Sequence, residues 1–150
     1  MNNLAVFERP KSSVAESFRA LRSNIQFLFK NNEKARAKTL VLTSSVSGEG
    51  KTMISINMAT VFALGGKKTI LVGLDLRKPK LEKLVKLKTN AAGVVNYLIG
   101  QASSANEIIQ KSLLHPNLDV IVCGPLPPNP AEILLSKRLR KLVEVLKKKY

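Results

Sequence analysis

With 150 residues, 45% apolar content and a single cysteine, the chain has the size and composition of one globular domain without an internal disulfide. No apolar run approaches the length of a membrane span, and no secretory signal opens the sequence. Twenty-five basic residues against ten acidic ones leave a net charge of +15, which suggests an anionic partner (a nucleotide, nucleic acid, acidic lipid headgroups or an acidic protein segment), with a solvated lysine-rich face as the alternative. Tryptophan is absent and aromatics are few, so base-stacking platforms are lacking, which argues against nucleic acid.

The first twelve residues read as a flexible segment, broken at Pro10. Ser13-Val14-Ala15-Glu16 has the spacing of a capping box, and Val14, Phe18, Leu21, Ile25 and Leu28 then recur at steps of three and four. That pattern predicts an amphipathic helix, ended by the polar turn Lys30-Asn31-Asn32-Glu33. A short apolar run over 38–43 predicts a buried strand, and 51–64 predicts a helix stopped by Gly65-Gly66. A second strand follows over 68–73, with Asp75 and Arg77 just past its end. Short helices are expected over 80–88 and 92–98, and Ser104 to Glu107 forms another capping box that opens a helix to about Leu114. His115, the lone histidine, sits before Pro116 in a turn and reads as a loop residue. A third strand over 118–123 contains Cys123, whose apolar setting indicates a buried thiol. After the rigid GPLPPNP segment, Asn129 and Pro130 start a helix. The stretch 137–149 carries seven basic residues and one acid, with Leu135, Leu139, Leu142, Val143 and Leu146 at helical spacing, so it reads as an amphipathic helix with a basic outer face.

The run Val41 to Thr52, VLTSSVSGEGKT, is the most informative. A strand, a glycine-punctuated loop and a helix opened by Lys51-Thr52 make up the phosphate-binding arrangement of a P-loop. Glycines let successive N–H groups turn toward phosphate oxygens, and the following helix N-terminus favours negative charge. Ser47, Gly48, Glu49, Gly50, Lys51 and Thr52 are the candidate nucleotide-binding residues, with Lys51 reaching the β- and γ-phosphates and the Thr52 hydroxyl on Mg²⁺. Ser45 stands where the usual pattern has its first glycine. Alternation of strands and helices predicts an α/β fold of P-loop NTPase type, a mainly parallel sheet with helices on both faces. In such sheets ligands bind at the carboxyl ends of strands, so Asp75 faces the same crevice as the P-loop, as a candidate for Mg²⁺ or for an attacking hydroxyl. A turn aspartate is the alternative reading of Asp75.

Four segments in order resemble the bacterial protein-tyrosine kinases of capsule and exopolysaccharide export, the BY-kinases. AESFRALR over 15–22 is similar to their E-x-x-R-x-x-R segment, TSSVSGEGKT to their Walker A, ILVGLDLRKP to their Walker A′, and GPLPPNPAEIL to their proline-rich signature. The resemblance implies ATP and Mg²⁺ as cofactors, tyrosine-containing proteins as substrates, and Lys51 and Asp75 as catalytic residues. It also implies ring-like self-association through Glu16, Arg19 and Arg22, and a partner in the membrane-embedded polysaccharide co-polymerase. The expected place is cytoplasmic, at the inner face of the membrane. Gly73 stands where the family has the first aspartate of Walker A′, and the Walker B strand of the family is expected only after Tyr150. The sheet is therefore expected to be incomplete at its C-terminal side, and the chain to be a weak kinase by itself. Two rival readings are a partitioning or division-site ATPase, whose P-loop has an early lysine where this chain has Val46, and a non-catalytic nucleotide-binding assembly module.

Overall fold

A computed structural model describes residues 4–29, 37–46, 48–85, 87 and 91–150. Its helices are α1 (Ala5–Glu8), α2 (Ser13–Phe29), α3 (Lys51–Leu64), α4 (Leu81–Leu84), α5 (Val94–Leu98), α6 (Pro130–Leu134) and α7 (Lys137–Lys149). Its strands are β1 (Thr69–Val72), β2 (Gln110–Lys111) and β3 (Leu118–Ile121). The sheet order is β1-β3-β2, with β1 parallel to β3 and β2 antiparallel to it, so the sheet is mixed.

The period-two rule explains how both faces are covered. Leu118, Val120 and Val122 pack toward α3, whose Ile56, Ala59 and Ala63 share their core. Ile121 and Cys123 join the opposite core, with Val94 and Leu98 of α5 and Leu142 and Leu146 of α7. Helices on both faces are thus observed as expected. A third cluster, with Val6, Ala15, Phe18, Met58 and Val61, fastens α1 and α2 onto the outer side of α3.

Several elements differ from the sequence reading. Residues 38–43 form no strand, and Leu40, Val41 and Leu42 are exposed. An apolar run supplies side chains for burial but not a hydrogen-bonding neighbour, and among the described residues β1 pairs with β3 alone. Residues 4–12, expected to be flexible, hold α1, and Val6 is buried with its N–H bonded to Asn57 Oδ1 at 2.8 Å. The cap of α2 is Ser12, whose Oγ accepts from Ala15 N–H at 3.2 Å, because Glu16 spends its carboxylate on Arg19 instead of the backbone. The Ser104–Glu107 box forms, but it opens only a 3-10 turn (Ala105–Glu107), after which the chain enters β2. Of the expected stripe on α2, Phe18 is buried and Ile25 half-buried, while Val14, Leu21 and Leu28 are exposed. The polar turn at 30–33 and the end of the helix expected over 80–88 lie outside the described residues. His115 is a loop residue, its Nδ1 accepting from Asn117 N–H.

Two polar contacts tie the layers. Arg22 of α2 donates from a guanidinium N–H to the Val61 carbonyl at 3.0 Å, in the last turn of α3, where a cation is favoured. Its Nε–H is buried and unbonded, which reduces the net gain. Arg22→Met keeps the stem and removes the charge, so a loss of about 1–2 kcal/mol in unfolding free energy is expected in urea titration. An unchanged midpoint would show that this contact does not hold α2 in place. On the other face, Asp119 points toward α7, where its Oδ2 accepts from the Tyr150 hydroxyl at 2.6 Å and its Oδ1 meets the Lys111 ammonium at 2.7 Å. Burial, and then the Asp119 carboxylate, push the Tyr150 phenol far above its usual range, so it keeps its proton and remains a donor.

Candidate nucleotide-binding site

The loop from Ser44 to Gly50 turns directly into α3. Gly48 and Gly50 have φ of 92° and 96°, in the left-handed region that side chains rarely adopt. Nothing lies within 4 Å of a Cβ placed on either, so backbone shape and not crowding selects glycine there. Gly50 is the N-cap of α3 and offers no side-chain oxygen to the first-turn N–H groups. Those donors and the positive end of the helix dipole are therefore directed at the loop.

Lys51 turns its ammonium back across the same loop. It donates to Ser44 Oγ and, at 3.3 Å, to the Val46 carbonyl. Val46 N–H donates to Glu49 Oε2 at 3.3 Å. The Glu49 carboxyl is held below its usual range, first by the Ser44 hydroxyl and then by the Val46 amide. Thr52 is half-buried in the first turn of α3. Ser47 lies outside the described residues. The donor set fits a polyphosphate: backbone N–H groups at a helix start, two glycines in the required conformation and one mobile ammonium.

Asp75 follows β1 and is exposed. Its Oδ1 accepts from Arg77 N–H at 3.2 Å and Lys78 N–H at 3.0 Å, which is a turn-forming arrangement. Among the described residues, no hydrogen bond or ion pair joins Asp75 to Lys51 or Thr52, and no group of three or more His, Cys, Asp or Glu could hold a metal ion. Gly73, in the position before Leu74 and Asp75, donates to the Ile121 carbonyl at 2.8 Å, and a Cβ there would stand 3.0 Å from Leu81 Cδ2. Leu81 of α4 fills the space that a side chain at 73 would enter.

A cleft of about 370 Å³ at the carboxyl end of β3 was not anticipated. Glu82, Ala92, Asn96, Gly124 and Pro125 are among its lining residues. Glu82 Oε1 accepts from Gly124 N–H at 3.4 Å. Cys123 is buried beside it, its thiol pushed up to about 11 by burial first, then by Glu82 and Asp75, so it is protonated and unreactive at neutral pH. A glycine directly after the third strand, in GPLPP, was the available signal for this cleft.

The residues expected at a subunit contact divide into two kinds. Arg19 pairs with Glu16 at 2.6 Å and also donates to the Pro10 carbonyl at 2.7 Å, on the surface of α2. Arg22 is taken up inside the chain by α3.

Residues 40–150 match the family described as the CobQ/CobB/MinD/ParA nucleotide binding domain. The chain is 36% identical over 147 residues to a putative tyrosine-protein kinase CapB of Staphylococcus aureus, covering 98% of this chain and 62% of that protein. It is 39% identical over 140 residues to the tyrosine-protein kinase YwqD of Bacillus subtilis, covering 93% and 56%. Among solved structures it is similar to the chimerical protein CapA2B2, with a TM-score of 0.87 and 34% identity over 100% of this chain and 63% of that one. It is also similar to the kinase domain of the Escherichia coli tyrosine kinase ETK, with a TM-score of 0.87 and 31% identity over 98% and 55%. The chain thus spans between 55% and 63% of the length of these four.

Proposed function

The chain belongs to the family of CobQ/CobB/MinD/ParA nucleotide-binding domains, and from that premise we propose that it is the ATP-binding portion of a protein-tyrosine kinase serving capsular or exopolysaccharide export. The observation that carries the reading is the loop of two left-handed glycines opening onto α3, with the Lys51 ammonium drawn across it. The names of the relatives support the kinase over the partitioning ATPase, as does Val46, which stands where the rival would have a lysine.

In this reading Gly48 to Thr52 hold the triphosphate through backbone N–H groups, together with Ser47 of the same loop. Lys51 leaves Ser44 and Val46 for the β- and γ-phosphate oxygens. Thr52, through its hydroxyl, and Asp75, through its second oxygen, would hold Mg²⁺, which when bound would neutralise charge on the phosphoryl group. Gly73 carries no carboxylate, so the second motif has Asp75 alone, for the metal or, as the alternative, for orienting the tyrosine hydroxyl, with the Glu82–Asn96 cleft as the adjoining place for the acceptor segment. Self-association runs through the exposed Glu16–Arg19 surface of α2, while Arg22 fastens that helix to α3. No helix among the described residues is long and apolar enough to cross a membrane. The proposed place is the cytoplasmic face of the membrane, beside a polysaccharide co-polymerase.

Titration of the labelled chain with Mg-ATP, followed by amide resonances, tests the reading. Shifts concentrated at Gly48 to Thr52 are expected. Resonances that stay in place at saturating nucleotide would remove the P-loop assignment, and the kinase reading with it.

A further inference from the structure

We propose that the end of the domain opposite the P-loop is a docking face for an anionic lipid surface, built by Lys67, Lys68, Lys147, Lys148 and Lys149, with Lys111 at its edge. This deepens the membrane-side location proposed above and stands without the kinase reading.

The two lysine groups come from separate parts of the sequence and meet in space. Lys67 and Lys68 follow the Gly65-Gly66 stop of α3 and precede β1, and both are exposed. The other three form the last turn of α7, with Lys148 and Lys149 exposed and Lys147 half-buried. Tyr150 joins the groups, because the Lys68 ammonium sits 5.2 Å over the centre of its ring. Lys149 Nζ reaches Asn106 Oδ1 at 2.6 Å, which places the 3-10 turn beside the same end. The lysine-rich last turn complements the negative end of α7, but that local role does not account for Lys67 and Lys68, which belong to another element.

Among the described residues, local acids offset only part of this charge, with Asp119 set against Lys111. Asp119 lies beneath the patch, buried and already engaged by Lys111 and the Tyr150 hydroxyl. Glu107 accepts from the Ser104 N–H at 2.7 Å and keeps its charge, and Glu144 stands about one turn back along α7, so these two acids leave the five lysines in excess.

Residue chemistry selects lipid over nucleic acid. The patch uses lysines, which are compact, hydrated point charges suited to a diffuse layer of headgroups. The one arginine of α7 near α5, Arg138, is turned inward onto the Tyr97 and Ala102 carbonyls. Among the described residues, the patch thus has no planar fork for phosphate or base edges, and the ring of Tyr150 is covered by Lys68. The apolar side of α7 is buried through Leu142 and Leu146, so attachment is by charge at the surface and not by insertion of this helix. Orientation follows from α3: its 14 residues separate Lys67 from the P-loop by about 20 Å, so the loop faces away from the lipid.

Co-sedimentation of the full chain with phosphatidylcholine vesicles, with and without phosphatidylglycerol and in the absence of nucleotide, tests the proposal separately from the ATP reading. Binding is expected only with phosphatidylglycerol, and to be lost in high salt. Each lysine at the surface contributes about fivefold to partitioning, so the quadruple reversal Lys67→Glu, Lys68→Glu, Lys148→Glu, Lys149→Glu lowers it more than about a hundredfold, with circular dichroism unchanged. The reversal Lys80→Glu, Lys83→Glu on the other end is the control for net charge and lowers it far less per residue. Equal losses per reversed charge in the two variants, equal binding to neutral vesicles, or tighter binding to duplex DNA than to the acidic vesicles would each overturn the assignment.

Discussion

Replacing Lys51 by alanine is expected to weaken Mg-ATP binding by about tenfold to a hundredfold while leaving thermal stability nearly unchanged. A charged hydrogen bond of this kind contributes roughly 1.5–3 kcal/mol where its partner is also charged. The bonds given up within the chain, to Ser44 Oγ and the Val46 carbonyl, are half-exposed or exposed, and water replaces them. Backbone N–H groups of the loop and the α3 terminus remain in the variant, so binding should be weakened and not erased. Calorimetric titration with Mg-ATP, beside a melting curve, separates the two quantities. Equal affinity in parent and variant would mean that the ammonium is not a phosphate ligand. A collapse of the melting temperature would mean instead that Lys51 is structural.

The second large effect concerns Gly93, for a reason unrelated to left-handed backbone. Its φ of −134° and ψ of −166° are ordinary extended values. The constraint is distance: a Cβ would stand 2.3 Å from Gly124 N, 2.5 Å from the Cys123 carbonyl carbon and 2.5 Å from the Val122 carbonyl oxygen. All three obstacles are backbone, so no rotamer change relieves them. Next to Gly93, Val94 N–H and Val95 N–H donate to the carbonyls of Val122 and Cys123 at 2.8 and 3.0 Å, and the clash would pull those bonds apart. Gly93→Ala should therefore cost about 3 kcal/mol or more, a large share of the total stability of a domain this size. It should also open the cleft lined by Asn96 and Gly124. Urea unfolding measures the first effect. A variant as stable as the parent would contradict the close approach of these two segments.

Legibility differed by element for physical reasons. The third strand and α7 were readable because each has a strong period and packs where that period places it: Leu118, Val120 and Ile121 to alternate faces, Leu142 and Leu146 to one stripe. The P-loop was readable because glycines at 48 and 50 have a steric purpose that a sequence displays directly. The run 38–43 was misread because apolarity reports a preference for burial, whereas strand formation needs a partner edge that no local pattern encodes. After Ser104 the sequence predicts a helix to about Leu114 where the chain forms only a 3-10 turn, since a capping box marks where a helix can start and carries no information on its length. Asp75 was expected to face a ligand, and its Oδ1 is used by its own turn, as aspartate side chains commonly are. The bond from Arg22 to the Val61 carbonyl was not legible because the two lie 39 residues apart.

The carboxylate of Asp119 works as a landmark within an otherwise oily stripe. Apolar ridges tolerate several near-equivalent alignments, and a helix resting only on leucines could slide by a turn at small cost. Here a slip of one turn carries the Tyr150 hydroxyl about 5.4 Å from Asp119, leaving the anion with a single exposed lysine for company. The penalty of an ill-matched buried charge rules out the neighbouring alignments, so one polar residue confers on α7 a uniqueness of seating that the surrounding hydrocarbon cannot.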